Sequence, residues 1–198
     1  MSARAPVTGP AAGADAGAIA GTAAGTVAAP LSAEQIWAWL NEVSDPEIPV
    51  ISVVDLGIVR DVQVTGSSAC TVTITPTYSG CPAMQVIEQA VHEALRGHGV
   101  AYVTVATRLS PAWTTDWMSE RGKARLTGYG IAPPAERVID ISNLKAGVSR
   151  RAQPVLKVVC PHCGSPHTEL TSQFGSTPCK ALYKCQDCQE PFDYFKCH

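Results

Sequence analysis

The sequence predicts an α+β fold: a small mixed sheet with helices packed on it, followed by a C-terminal zinc-ribbon-like module. Three observations predict it. Helical and strand periodicities alternate between residues 31 and 132, so helices and strands must share one small core. A hairpin pattern with a single apolar face lies within that stretch. Near the C-terminus, four of the eight cysteines stand as two C-x-x-C pairs, Cys160-Pro-His-Cys163 and Cys185-Gln-Asp-Cys188, at a spacing that aims four thiolates at one tetrahedral metal.

Residues 1–30 are almost entirely Ala, Gly, Thr and Pro, with Val7, Ile19 and Val27 isolated among them. They are read as a disordered tail, because so few apolar side chains cannot offset backbone ordering. No continuous apolar run marks a secretory signal, and Arg4 as the sole basic residue argues against a transit peptide. Order begins at Ser32, which can cap a helix while Gln35 closes a capping box and Leu31 staples onto Ile36. Ile36, Trp39, Leu40 and Val43 then recur at helical spacing. Asp45-Pro46 stops that helix, and Pro46 with Pro49 enforces an extended stretch up to the turn Asp55-Leu56-Gly57.

A strand is expected over Ile58 to Val64, then the turn Gly66-Ser67-Ser68, then a second strand in which Cys70, Val72 and Ile74 alternate with threonines. Cys70 reads as a small core residue. After the loop from Pro76 to Gly80, Ala83, Val86, Ile87, Ala90, Val91, Ala94 and Leu95 form the apolar stripe of a second helix, which Gly97 and Gly99 end. Tyr102 to Thr107 reads as a third strand closed by Ser110-Pro111, and a weaker helix is expected over Thr115 to Leu126. Residues 31–132 thus form one α+β domain, residues 133–154 a Pro-bounded connector, and residues 155–198 the ribbon. The ribbon segment is too small to bury an adequate core alone. A structural metal would contribute on the order of 10 kcal/mol to its folding.

Zinc on Cys160, Cys163, Cys185 and Cys188 would have four sulfur ligands and no open position, which makes the site structural. Disulfides fit less well, and a thioredoxin-like motif needs one pair at a helix start in a βαβ unit. An iron–sulfur cluster on four thiolates stays open. Cys81 is a different kind of thiol. It lies between Gly80 and Pro82, where Pro82 suits the first helical position and Cys81 the N-cap, so the unpaired N–H groups and helix dipole are expected to lower its pKa and make the sulfur a better ligand or nucleophile. A cysteine that merely fills the turn is the alternative. None of the five histidines has a context that marks it as a base for Cys81.

Asp45, Glu47 and Asp55 cluster around the Pro-rich bend, where they serve as turn residues or orient a metal or partner. Trp113, Asp116 and Trp117 set two indoles beside a carboxylate, for core packing or partner binding. Cys179 and Cys197 are either buried neutral thiols or companions of Cys81 if the ribbon folds over the first domain. With 17 acidic and 15 basic residues, net charge −2, the chain offers no basic stripe for nucleic acid. The ribbon lysines Lys157, Lys180, Lys184 and Lys196 are offset by Glu169, Asp187, Glu190 and Asp193. No run approaches the roughly 18 apolar residues of a membrane span. A cytoplasmic protein with no membrane partner is expected.

The strings Asp45-Pro46-Glu47-Ile48-Pro49-Val50, Asp55-Leu56-Gly57, Thr75-Pro76-Thr77-Tyr78-Ser79-Gly80-Cys81-Pro82 and Pro111-Ala112-Trp113-Thr114-Thr115-Asp116-Trp117-Met118 closely resemble the PaaD family associated with phenylacetyl-CoA epoxidase. The segments from Phe174 to Cys185 and from Glu190 to Cys197 resemble that family's C-terminal signature. Pro178, which restricts Thr177 to an extended conformation, is the one mild departure. The first domain is also similar to the metal–sulfur cluster assembly domain of iron–sulfur targeting and maturation factors. The resemblance implies that Cys81 handles iron or a cluster in transit, with Cys179 and Cys197 as candidate companions and Asp45, Glu47, Asp55 and Asp116 in support. It further implies a non-catalytic accessory role in aerobic phenylacetate catabolism. The implied partners are the epoxidase oxygenase, with its carboxylate di-iron site, and the ferredoxin-like reductase. A permanent structural or electron-transfer subunit is the alternative, and a homodimer sharing a cluster stays open.

Overall fold

A computed structural model describes residues 30–134 and 157–196. The tail over 1–30 and the connector over 133–154 therefore fall, except for residues 30, 133 and 134, outside the described residues, as does Cys197.

The first helix, α1 (Ala33–Leu40), opens with the expected box: the Gln35 backbone N–H donates to Ser32 Oγ at 3.2 Å, and the Ser32 backbone N–H donates to Gln35 Oε1 at 3.0 Å. Ile36 and Leu40 are fully buried, whereas Trp39 sits at the margin, stacked on His98 at 4.6 Å. The chain then makes a loop that is part of the core. Ile48, Ile51, Val53 and Leu56 are all at most 2 % exposed, each contributing about 1.5–3 kcal/mol of apolar burial. Backbone hydrogen bonds from Asp45 N to Ile51 O and from Val53 N to Val43 O fold the loop on itself. Gly57 closes it at φ +75°, where an added Cβ would meet the Trp117 backbone at 2.6 Å, so only glycine fits.

Strands β1 (Val59–Gly66) and β2 (Ala69–Ile74) form the antiparallel hairpin, and β3 (Tyr102–Thr107) adds parallel to β2, giving a mixed sheet of order β1-β2-β3. Cys70, Val72 and Ile74 are buried as the alternation required. Helix α2 (Ala83–Gly97) provides the crossover between β2 and β3 and packs on the core through Ala83, Ile87, Val91 and Leu95. Val86, expected in that stripe, is 53 % exposed. It precedes Ile87 by one residue, about 100° around the helix, and so points off the buried face.

The helix expected over Thr115 to Leu126 is divided. A 3₁₀ turn spans Thr115–Trp117, Met118 is extended, and Ser119 caps a new helix α3 (Glu120–Gly128) by accepting from Gly122 N–H. The break lets Ser119 and Arg121 converge on Asp55. The second sheet has the order β4-β7-β6-β5, with β5 (Thr168–Ser172), β6 (Lys180–Cys185) and β7 (Pro191–Phe195) antiparallel. Its fourth strand, β4 (Ile131–Ala132), comes from the end of the first domain and pairs parallel with β7. The two lobes also share a core. Cys179 and Phe195 belong to the first hydrophobic cluster, and Phe195 meets Trp113 edge-on at 5.9 Å.

Candidate metal sites

Two sulfur-bearing sites emerge, and they are built differently. In the ribbon, each C-x-x-C pair sits on a tight turn: Gly164 N–H donates to Cys160 O, Cys160 N–H to Ser165 O, and Cys185 N–H to Glu190 O. The residue after each second cysteine, Gly164 at φ +75° and Gln189 at φ +64°, takes the left-handed conformation that turns the chain back. The four sulfurs lie within 4.8 Å of one another, with Cys160–Cys188 at 3.7 Å and Cys163–Cys185 at 3.6 Å. Sulfurs bound to a common zinc at about 2.3 Å in a tetrahedron would stand about 3.8 Å apart, so the residues fit the ion. The sulfurs are unbridged. The Cys188 N–H donates to Cys185 Sγ and, with that of Asp187, holds the Cys185 thiol down to about 6, which favours the ligating thiolate. Ser165 ties the two turns together by donating to Asp187.

The second site is a narrow cleft where the lobes meet, lined by Asp45, Glu47, Thr77, Cys81, Met84, Cys179 and Phe195, among others. Its interior volume of ≈ 10 Å³ is about that of one water-sized sphere. Cys81 is half-buried at the mouth of α2. Regular helix begins at Ala83, with Pro82 already at helical dihedrals (φ −69°, ψ −23°). Contrary to the expectation of a lowered pKa, the Cys81 thiol is raised. Burial is the largest cause, and the negative charges of Glu47 and Asp45 add to it, outweighing the Ala83 N–H and the Tyr78 hydroxyl that favour the thiolate. The N-cap is Pro82 rather than Cys81, yet the Ala83 N–H at the helix start still favours the thiolate as anticipated; the walls opposite it oppose the charge.

Cys179 comes from the ribbon, just before β6, and is 4 % exposed. Its S–H donates to Glu47 Oε2 at 3.6 Å across the lobe boundary. Burial pushes it up to about 11, with Thr177 opposing and Glu47 reinforcing the shift. Asp45 accepts at Oδ1 from the N–H groups of Glu47 and Ile48, both at 2.9 Å. It is thus a turn residue that also faces the cleft, and burial raises its pKa.

Asp55 and Asp116 do not reach the cleft lining. Asp55 is buried in an ion pair with Arg121 (2.9 Å) and accepts from Ser119 Oγ at 2.6 Å, so it anchors α3 to the core loop. Burial opposes its ionisation, yet Arg121 and Ser119 outweigh that cost and hold it below the ordinary carboxylate range. Asp116 is exposed on the 3₁₀ turn. Trp113 is buried and donates from Nε1 to Leu56 O at 3.1 Å, and Trp117 carries Arg60 over its ring at 3.5 Å, so both indoles serve packing.

Sequence reasoning missed three contributors. Tyr78 places its hydroxyl in the interior beside Cys81, with no partner of normal hydrogen-bond geometry. Burial, then the neighbouring Cys81 thiolate and Glu47, push its phenol up to about 12. Lys180 is 4 % exposed, pairs with Asp193 at 3.6 Å, and its positive charge acts on both Asp45 and Cys179. Phe195 closes the cleft floor. The signal for Tyr78 and Lys180 was adjacency to Cys81 and Cys179, but it says nothing about which lobe faces which.

Comparison with known proteins agrees with this two-part construction. Residues 33–105 match the family model described as iron-sulfur cluster assembly protein, and residues 145–196 match the PaaD zinc beta ribbon domain. An Escherichia coli K12 protein, provisionally named as one of the subunits of 1,2-phenylacetyl-CoA epoxidase, is 48% identical over 169 residues, covering 85% of this chain and 95% of the relative. Proteins of Porphyromonas gingivalis and Bacillus subtilis named Fe-S protein maturation auxiliary factors are 38% and 36% identical over 94 residues, 47% of this chain and 89% and 91% of theirs. Among the described residues no helix is long and apolar enough to cross a membrane. The chain therefore belongs to the PaaD family, in which an iron–sulfur cluster assembly domain is joined to a PaaD zinc ribbon.

Proposed function

We propose that this protein is a non-catalytic accessory factor of a phenylacetyl-CoA epoxidase system that receives iron or an iron–sulfur unit at Cys81 and delivers it to an epoxidase component. The supporting observation is the contrast between its sulfurs. Four ribbon thiols converge into a closed set, whereas Cys81 stands half-buried at a narrow cleft with further ligand atoms nearby. A closed four-sulfur site retains its ion. An incompletely ligated one can exchange it. The names of the maturation-factor relatives favour the same reading. The recipients are the ferredoxin-like reductase and the oxygenase, and the compartment is the cytoplasm.

The test is to produce the epoxidase components with wild-type or Cys81→Ser protein and to measure iron and sulfide in each. The substitution is expected to lower the iron content of a component while leaving ribbon zinc at one per chain. Unchanged iron and unchanged epoxidase activity would remove Cys81 from the role. The relative's naming among the epoxidase subunits favours a second reading, a permanent component of the complex. A carrier becomes dispensable once the components are loaded. A permanent component is required at fixed stoichiometry in every assay.

A further inference from the structure

We infer that Cys179 and Glu47, one from each lobe, join Cys81 as ligands of a site for a single divalent metal ion of the ferrous class, held across the lobe boundary. This deepens the reading of Cys81 given above and rests on it. The strongest observation is a distance. Cys179 Sγ and Glu47 Oε2 are 3.6 Å apart. A sulfur at about 2.3 Å and a carboxylate oxygen at about 2.0–2.2 Å from one tetrahedral ion would be separated by about 3.6 Å. The pair already has the bite of a chelate, with a thiol proton where the ion would sit.

Three further features point the same way. Cys81 lines the same cleft, so a third ligand faces the pair. The three ligand atoms do not all lie within 4.8 Å of one another as the ribbon sulfurs do, so the set closes only when an ion draws them together. The buried Tyr78 hydroxyl beside Cys81 has no partner of normal hydrogen-bond geometry and would donate to a ligating sulfur once the thiol proton is gone. Finally, the room in the cleft, ≈ 10 Å³, suits one ion rather than a cluster with bridging sulfides. Two thiolates and one carboxylate form a mixed set of the kind that accepts ferrous iron or zinc, in contrast to the all-sulfur ribbon.

The binding step balances without redox chemistry. One divalent ion enters, the S–H bonds of Cys81 and Cys179 break, two metal–sulfur bonds and one metal–oxygen bond form, and two protons leave to solvent. A fourth position stays open for a ligand from the recipient. Release is the reverse exchange, with the recipient's ligands replacing these.

Cobalt(II) is a suitable probe, because it takes the same ligands and reports thiolate ligation by a near-ultraviolet charge-transfer band. Full-length protein carrying one zinc is titrated anaerobically, with zinc measured throughout. The wild type is expected to bind one cobalt beyond its zinc with a two-thiolate band. Cys179→Ser and Cys81→Ser should each halve that band, and Glu47→Gln should preserve it while weakening affinity at least about tenfold, the low end of what loss of even an outer-shell partner costs. Circular dichroism and retained zinc identify any variant that has failed to fold. Cys179→Ala, which keeps a small apolar group in the core, then substitutes for Cys179→Ser. If Cys81→Ser abolishes cobalt binding but Cys179 and Glu47 variants match wild type, the two-lobe ligand set is wrong and the Cys81 reading survives. If the wild type binds no cobalt beyond its zinc, the site is overturned, and the component iron content described above decides the fate of Cys81 separately.

Discussion

The ribbon and the interlobe cleft use the same element, sulfur, for opposite ends. In the ribbon, one short turn holds each cysteine pair and the four sulfurs already converge; backbone N–H groups favour the thiolate of Cys185, while the Cys163 and Cys188 thiols are raised. In the cleft, Cys81 and Cys179 come from separate lobes, face carboxylates, and hold their protons. Full convergence is the geometry of a resident site. On the reading proposed above, partial convergence amid like charge would make a site that binds when a cation displaces protons and lets go when other ligands compete.

The contrast can be broken most severely from the ribbon side. Cys185→Ser, or zinc removal by a chelator, is expected to unfold the ribbon, a loss on the order of 10 kcal/mol of metal-linked folding energy. Because Cys179 and Phe195 belong to the first domain's core, the cleft should lose its shape as well. Zinc content followed alongside the tryptophan fluorescence of a chain in which Trp113 alone is retained, the other tryptophans replaced by Phe, checks both. Phe195→Ala removes the cleft floor and the edge-on contact with Trp113 and should cost about 3–5 kcal/mol, read as a lower denaturation midpoint with zinc still bound.

A smaller effect sharpens the comparison by separating structural from site carboxylates. Asp55 is held below its ordinary pKa by Arg121 and Ser119 against the cost of burial. A depressed folded-state pKa contributes stability above the unfolded value, about 3.9, and loses it as pH falls through the folded value. Asp55→Asn should therefore lower stability at neutral pH by about 2 kcal/mol and flatten the acid limb of the stability curve below about pH 4. Urea unfolding from pH 7 down to pH 3 measures this. Cys81→Ser should change stability least, by under about 1 kcal/mol, since Cys81 is only partly buried at the margin of the core and the replacement is nearly isosteric. A large loss of stability there would mean that Cys81 is a packing residue.

Local devices were legible in the sequence, and encounters between distant segments were not. The Ser32/Gln35 box, the strand Tyr102–Thr107 and both ribbon turns follow from spacing alone. The helix expected over Thr115 to Leu126 failed because Ser119 is a strong N-cap and the Asp55 ion pair needs the chain to reset there. The strand β4 has only two residues, too few for any periodicity. For Cys81, the favourable helix start could be read from Gly80-Cys81-Pro82. The burial and the carboxylates that reverse its pKa come from residues brought together by folding, Cys179 and Glu47 being 132 positions apart.

On the proposed reading, one protein holds a resident metal and an exchangeable one. Protein loaded anaerobically with labelled ferrous iron is mixed with the metal-free reductase and separated again. Labelled iron is expected on the reductase, with one zinc per chain still in the ribbon. Iron that stays on this protein, or zinc that leaves with it, would contradict the division of labour between the two sites.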